Sequence, residues 1–331
     1  MDPITHMTSG LLTAQAFRPS TGNRLFFILC IIGSLIPDID NFAGLWGPEF
    51  YLIHHRGVTH SIFGAIALAA LLGFFYTALN GFYSKKKSFA ILLFLVFIHI
   101  FLDMITSYGT QIFYPFTRHR YEIASVFIID PFFTISLIGI ALLSYKFKEN
   151  RVRIAVFGLI WLVIYPAIGY GVRSHVQYRV EHHLIQNGNS QRRVHVLPEA
   201  FSPVYWKVIL EDEKNYYLGV VCLMENSKKI EYERYEKADL VLMRTLGEKV
   251  SFFKTFAWFA SFPFMEIDNS GDQEIITFGD LRFISMMKLL KNRSQRNGRP
   301  FSISAVLDIN RNIIGYTYRK PGGTQIIQHI E

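Results

Sequence analysis

The sequence predicts an α-helical integral membrane domain followed by a small extracytoplasmic α+β domain. The first is built from a short N-terminal helical hairpin and four transmembrane helices. Three observations lead there. Of the 331 residues, 50% are hydrophobic and only 18% are charged. The apolar residues crowd into the part before Val172, in stretches close to bilayer-spanning length. From Arg173 onward, polar turns separate short strand-like runs. The expected domains are therefore residues 1–172 and 173–331.

The N-terminal hairpin comes first. Thr5 to Phe17 and Arg24 to Ile36 are apolar runs of roughly 13 residues, short of a full span. The turn cluster Arg18-Pro19-Ser20-Thr21-Gly22-Asn23 separates them. No basic region precedes the first run and no small-residue cleavage site follows it, so it does not read as a signal peptide. Four longer stretches come next: Ile62 to Tyr83, Phe89 to Met104, Val126 to Tyr145 and Ile154 to Val172. One of them alone would pass for a buried soluble helix. Four in one half of a chain read as spans.

Orientation follows from basic residues in short loops. Lys85-Lys86-Lys87 joins the first two long helices, and Lys146, Lys148, Arg151 and Arg153 join the last two. Both loops are expected in the cytoplasm, with the tip of the N-terminal hairpin. Pro37 to His60, Ser107 to Ser125 and everything after Val172 then face outward.

In the tail, Trp206 to Asp212 and Tyr216 to Met224 read as strands around the turn Glu213-Lys214-Asn215. Ser302 to Ile309 and Ile313 to Tyr318 read as a hairpin around Asn310-Arg311-Asn312. Phe278 to Phe283 reads as a strand or its entry, and Glu231 to Leu246 as a helix.

Composition excludes other classes. Apolarity this high is incompatible with disorder over most of the chain. Two cysteines, Cys30 and Cys222, exclude a disulfide scaffold. The net charge of +8 goes to loops and the tail, which does not support nucleic-acid binding.

The chemistry lies at the edges of the apolar stretches. His6, Asp38, Asp40, His54, His55, His60, His99 and Asp103 all fall there. Ionisable groups at membrane depth are costly and are functional candidates by default. The alternating helix directions bring them to one side of the membrane. His99 and Asp103, four residues apart, share a helix face. Each alone has an ordinary reading: a hydrogen-bonded core histidine, a helix-end aspartate, a cap. Together they have the donor mix of a first-row metal site, with zinc first and manganese second. So many ligands suggest two or three ions. Metal-bound hydroxide would then be the nucleophile on a phosphate ester, with Asp38 or Asp40 bridging ions or acting as base. Arg56, Arg118 or Arg120 would hold the phosphate. A proton relay in a transporter, or a metal-binding protein without turnover, uses the same residue types. Asp130 reads either as a partner of a metal-bound histidine or as a helix N-terminal charge. His182, His183 and His195 read as surface residues.

These residues also carry a family resemblance. His6, Pro37-Asp38-Ile39-Asp40, His55-Arg56-Gly57-Val58-Thr59-His60-Ser61 and His99-x-x-x-Asp103, in this order, resemble the YdjM family. Thr106-Ser107-Tyr108-Gly109-Thr110-Gln111 extends the likeness, which covers about Met1 to Leu143. Gly279-Asp280-Leu281-Arg282-Phe283 looks like a motif of longer members. The resemblance implies a bacterial inner-membrane protein and a metal-dependent hydrolase. It implies His6, Asp38, Asp40, His55, His60, His99 and Asp103 as metal ligands. The family is in turn distantly similar to zinc-dependent phospholipase C and its related single-strand nucleases, which implies phosphodiester or phosphomonoester hydrolysis. With the site at the membrane, a lipid-like phosphate ester is the expected substrate.

Overall fold

The computed structural model describes residues 1–18, 24–79, 81–188, 191–200, 202–225, 230–269, 273–287, 299–319 and 325–329. Pro19 to Asn23, read above as a turn, lie outside the described residues. The chain divides into two compact units. The first is Met1–Ala43, His54–Arg173 and Ala200–Pro203; the second is Gly44–Ile53, Ser174–Glu199 and Val204–Glu331.

The first unit is helical. Helix α1 (Pro3–Ala16) starts at Asp2, whose carboxylate accepts from Thr5 N at 3.0 Å, with Pro3 in the first turn. It is buried on most sides despite its polar residues. Thr8, Ser9 and Thr13 return their hydroxyls to the helix's own carbonyls, at 2.7, 2.7 and 2.9 Å. Burial therefore leaves no hydroxyl without an acceptor there. Gly10 lets α1 approach α2 (Arg24–Leu35): a β-carbon there would stand 2.7 Å from Cys30 O.

Helix α2 does not stop at Ile36. It continues as a 3-10 helix, Ile36–Trp46, so the whole run reaches 23 residues and spanning length. A short helix α3 (Pro48–His54) and a 3-10 turn (Val58–His60) lead into α4 (Ile62–Ala78), capped by Ser61. Helix α5 (Lys85–Met104) gains its spanning length by starting at the lysines, four residues before the apolar run. Helix α6 (Pro131–Lys146) is shorter than the expected Val126 to Tyr145. Asp130 caps it and Pro131 opens it, so the helix cannot begin earlier. Helix α7 (Arg151–Gln186) runs 36 residues, well past Val172. Among the described residues, three helical runs are long and apolar enough to cross a membrane, or four if the bent pair of Pro48–His60 and Ile62–Ala78 counts as one.

Three apolar clusters hold this unit among the described residues, and α1 contributes to two of them. Leu12 packs with Leu102, Phe133, Leu137 and Leu162; Ala14 packs with Leu29, Ala69, Leu92 and Leu95. The outward faces are also apolar: Phe63, Phe74, Ile135, Leu142, Phe157 and Val163 are all exposed. Exposed apolar area of this extent suits a lipid surround rather than water.

The second unit is built on one antiparallel sheet, with nine strands in sequence order among the described residues. The strands are β1 (Arg193–Pro198), β2 (Tyr205–Glu211), β3 (Asn215–Cys222), β4 (Glu233–Lys237), β5 (Pro263–Asp268), β6 (Glu274–Asp280), β7 (Ser302–Leu307), β8 (Ile313–Arg319) and β9 (Gln325–His329). Asp212 makes the β2–β3 hairpin, accepting from Lys214 N and Asn215 N at 2.9 and 2.7 Å. Asp308 does the same for the β7–β8 turn, and Arg311 takes the left-handed backbone there.

The helix expected over Glu231 to Leu246 is corrected: Glu233–Lys237 is a strand and the helix α8 is Leu240–Lys249. Asp239 caps α8 by accepting from Val241 N and Leu242 N, so the upstream residues are free to pair with β3. Helix α9 (Ser251–Phe259) buries Phe252, Phe253, Phe256 and Phe259. Phe252 meets Tyr318, and Phe253 meets Phe278. Ser251 and Thr255 donate from α9 to Glu49, which fixes the segment Gly44–Ile53 within this unit.

Candidate metal centre

Five chain segments of the first unit deliver the ionisable residues. His6 lies in the first turns of α1, and Asp38 and Asp40 lie on the 3-10 helix after α2. His55 and Arg56 sit in the turn after α3, His60 ends the 3-10 turn before α4, and His99 and Asp103 share one face of α5. Gly64 lets the start of α4 close over this turn, since a β-carbon there would overlap Val58 O.

Four groups converge: Asp38, His60, His99 and Asp103 each place one ligand atom within 4.8 Å of the others. Nε2 of His60 and Nε2 of His99 are 3.1 Å apart. Asp103 Oδ2 stands 3.0 Å from the first and 3.6 Å from the second. Asp38 Oδ1 is 3.7 Å from both. His60, His99 and Asp103 are buried; Asp38, with its side chain 22% exposed, is the opening.

The far ring nitrogens fix the tautomers. His99 Nδ1 is 2.7 Å from Ser34 O, which can only accept, so Nδ1 carries the proton. His60 Nδ1 is 2.9 Å from Asp40 Oδ2 and 3.0 Å from Thr59 Oγ1. The Thr59 hydroxyl spends its proton on Asp40 Oδ2, at 2.8 Å, so His60 Nδ1 also donates. In the neutral rings both Nε2 lone pairs therefore face each other, beside two carboxylates. A cation resolves that arrangement. Two nitrogens on one zinc ion, at roughly 2.0–2.1 Å each, lie about 3 Å apart. A histidine whose other nitrogen donates to a carboxylate or carbonyl is the usual form of a metal ligand. The donor set fits a divalent ion.

The remaining candidates stand around this tetrad. His6 stacks on His99, with ring centroids 3.8 Å apart, and its Nε2 is 3.3 Å from Asp103 Oδ1. Its Nδ1, fully buried, has no hydrogen-bond partner among the described residues. Asp40 lies behind the tetrad with both oxygens in use. Oδ1 faces His55 Nδ1 at 2.9 Å, and Oδ2 takes Arg56 N, Thr59 Oγ1 and His60 Nδ1. His55 Nδ1 thereby faces Asp40, and His55 is not one of the four converging groups.

Arg56 is buried and points inward. Nη2 meets Asp103 Oδ1 at 2.9 Å, and Nη1 donates to Asp103 O and Thr106 Oγ1 at 3.1 and 3.0 Å. Its backbone sits at φ 56°, a left-handed conformation that a non-glycine residue adopts at a cost. The amino group of Met1 also pairs with Asp103 Oδ1. Arg120 donates to His55 O and Gly109 O, and the guanidinium groups of Arg56 and Arg120 both stand over the Tyr108 ring. Arg118 and His119 are exposed, and His54 is half-buried.

Asp130 takes the bland reading. It accepts from Phe133 N, Tyr165 OH and Ser202 Oγ, at 3.0, 3.1 and 2.8 Å, which makes it a helix cap within an internal network.

A family model described as YdjM inner membrane protein matches residues 1–177, more than half of the sequence. The chain belongs to this family. The YdjM span contains all seven expected ligands and ends within α7. The chain is also similar to a Bacillus subtilis (strain 168) protein named "Uncharacterized protein YfhP". The two are 23% identical over 307 residues, covering 86% of this chain and 88% of that one. That alignment is longer than the YdjM span, so it reaches into the sheet unit. No solved structure matches.

The motif Gly279-Asp280-Leu281-Arg282-Phe283 lies beyond the YdjM span and is a packing device. Asp280 accepts from Ser261 N, Arg282 N and the Arg282 side chain, at 3.0, 3.0 and 2.8 Å. Arg282 also donates to Phe259 O and lies over the rings of Phe259 and Phe283. Lys207, whose ammonium burial destabilises, caps Leu281 O and Arg282 O.

Proposed function

We propose that this YdjM protein is a membrane-bound metal-dependent hydrolase that cleaves a phosphate ester of a lipid-like substrate at the outer face of the membrane. The observation that carries the reading is the facing pair His60 Nε2 and His99 Nε2, 3.1 Å apart between Asp38 and Asp103. One ion, zinc by its match to this donor set, belongs at the tetrad. The wider ligand set for two or three ions is not favoured, because Asp40 and His55 are not among the four groups whose ligand atoms converge. When bound, such an ion supplies a lowered pKa for water and a positive charge toward the phosphoryl oxygens.

The chain's own residues do the rest. His60 and His99 hold their lone pairs inward, each locked from behind by Asp40 or Ser34. Arg56 balances the buried charge of Asp103 and holds it in place. Asp38 forms the accessible edge, where a substrate oxygen can approach. Contact with the phosphate falls to Arg118, since Arg56 and Arg120 are engaged internally.

The outward placement rests on charge and on helix geometry. Lys85 begins α5 and Asp103 lies near its end. At 1.5 Å per residue they are about 27 Å apart, close to the thickness of the bilayer core. With the lysines in the cytoplasm the tetrad lies at the outer side, and the chain after Val172 follows it outward.

The test is metal content per chain on detergent-purified protein, beside His60→Ala and Asp103→Asn, followed by turnover of phosphate-ester lipids. One tightly held ion lost in both variants, together with metal-dependent turnover, is the expected result. Metal without turnover leaves a binding protein. A wild-type protein that takes up neither zinc nor manganese overturns the reading and leaves the histidines as a proton relay.

A further inference from the structure

The second unit carries a cavity of its own, about 800 Å³ in volume. It lies between the C-terminal part of α7 and strands β2 and β3. Its floor is aliphatic: Val176, Val180 and Leu184 form a buried stripe four residues apart along α7, facing Leu210 and Val220. Its rim carries two cations, Arg179 and Arg192, beside His182 and His183, against a single acid, Glu225. Exposed arginines are ordinary one at a time. Here two share one cavity, and neither has a carboxylate partner among the described residues. Tyr232 also lines the cavity, and burial raises its hydroxyl to about 12, so it remains a donor.

The place of this cavity along the chain names its ligand. Helix α7 runs unbroken from the apolar stretch through Arg173 to Gln186. Val176 follows Arg173 by three residues, roughly 4.5 Å of helix. A cavity that opens one turn beyond a membrane span stands at headgroup level, whichever leaflet it faces. Cations at that depth attract anionic headgroups. An aliphatic floor beneath them takes hydrocarbon rather than water.

We propose that this cavity binds an anionic phospholipid, with the phosphate at Arg179 and Arg192 and the hydrocarbon on Val176, Val180 and Leu184. The site is separate from the metal centre and rests only on α7 being a span. Binding would tie the sheet unit to the membrane surface.

The experiment is native mass spectrometry of the full-length protein in detergent with added dioleoylphosphatidylglycerol, dioleoylphosphatidylcholine or inorganic phosphate. Wild type should hold one phosphatidylglycerol in preference to phosphatidylcholine. The double variant Arg179→Gln/Arg192→Gln should lower that occupancy by at least about fivefold, in line with the strength of headgroup attraction per basic residue. The variant Arg179→Lys/Arg192→Lys should keep most of it, and Lys85→Gln/Lys86→Gln should keep all of it. Both arginine variants should melt like wild type and hold the same metal, which separates this result from failure of the metal reading. Equal phosphatidylglycerol occupancy in wild type and glutamine variant overturns the proposal. So does equal binding of phosphatidylcholine. Full displacement by millimolar inorganic phosphate also overturns it, in favour of a soluble phosphate site.

Discussion

Nε2 of His60 and Nε2 of His99 face each other across 3.1 Å, and neither can be the donor when its ring is neutral. The two rings come from segments 39 residues apart. Each has already given its proton away on the other side, His60 to Asp40 and His99 to Ser34 O. Two lone pairs that face each other in a buried space need a positive centre between them, and a metal ion or a proton are the candidates.

The first prediction separates these two. Purified protein should hold one zinc or manganese ion per chain. His60→Ala, His99→Ala and Asp103→Asn should each abolish stoichiometric binding. Because the imidazoles must be unprotonated to bind metal, occupancy should fall as the pH is lowered. Inductively coupled plasma mass spectrometry across a pH series checks this. Occupancy independent of all three residues would place the ion elsewhere.

Asp40 should behave differently from Asp38. Its two oxygens face His55, Arg56 N, Thr59 and His60, which leaves it a positioning residue behind His60. Asp40→Asn should weaken metal affinity by about 10–100-fold while leaving the stoichiometry at saturation unchanged. Asp38→Asn removes a direct donor and should lose the stoichiometric ion. Competition against a chelator of known affinity distinguishes the two. Loss of the ion in Asp40→Asn at saturating metal would make Asp40 a ligand after all.

The tetrad was legible in the sequence because its members sit where apolar runs end, and helix direction sorts such ends onto one side. The split between Asp38 and Asp40 was not. Two residues on, a 3-10 helix has turned by about 240°, so the second carboxylate points away from the first. Spacing alone made both look like ligands. Arg56 was read as a phosphate clamp for a similar reason: nothing in the sequence says that a left-handed backbone at φ 56° turns it toward Asp103. In the sheet unit, β2, β3, β7 and β8 announced themselves by apolar runs around Asp- and Asn-bearing turns. Strand β4, Glu-Arg-Tyr-Glu-Lys, did not, because its strand character comes from pairing with β3 rather than from composition.

Asp130 supplies a control in the same unit. It caps α6 and accepts from Tyr165 and Ser202. Asp130→Ala should cost about 1–2 kcal/mol through the lost cap alone. Thermal stability in detergent should fall while metal content stays at the wild-type value. A loss of metal without a loss of stability would make Asp130 a partner of the site rather than of the helix.

The last prediction concerns Asp280 and Arg282 in the sheet unit. Their side chains are 0% and 1% exposed and their charges meet at 2.7 Å. Removing one partner leaves the other buried without this opposite charge, which costs about 3–5 kcal/mol. Arg282→Met should therefore destabilise this unit far more than its loss of contact area suggests. Asp280→Asn should do the same, because the amide cannot balance the guanidinium. The double variant should recover part of the loss, since no lone charge remains. Limited proteolysis of the full-length protein reads this out through cleavage within the sheet unit, slow in wild type, fast in either single variant and intermediate in the double. Single variants as resistant as wild type would mean that Phe259 O and the rings of Phe259 and Phe283 hold Arg282 without its carboxylate.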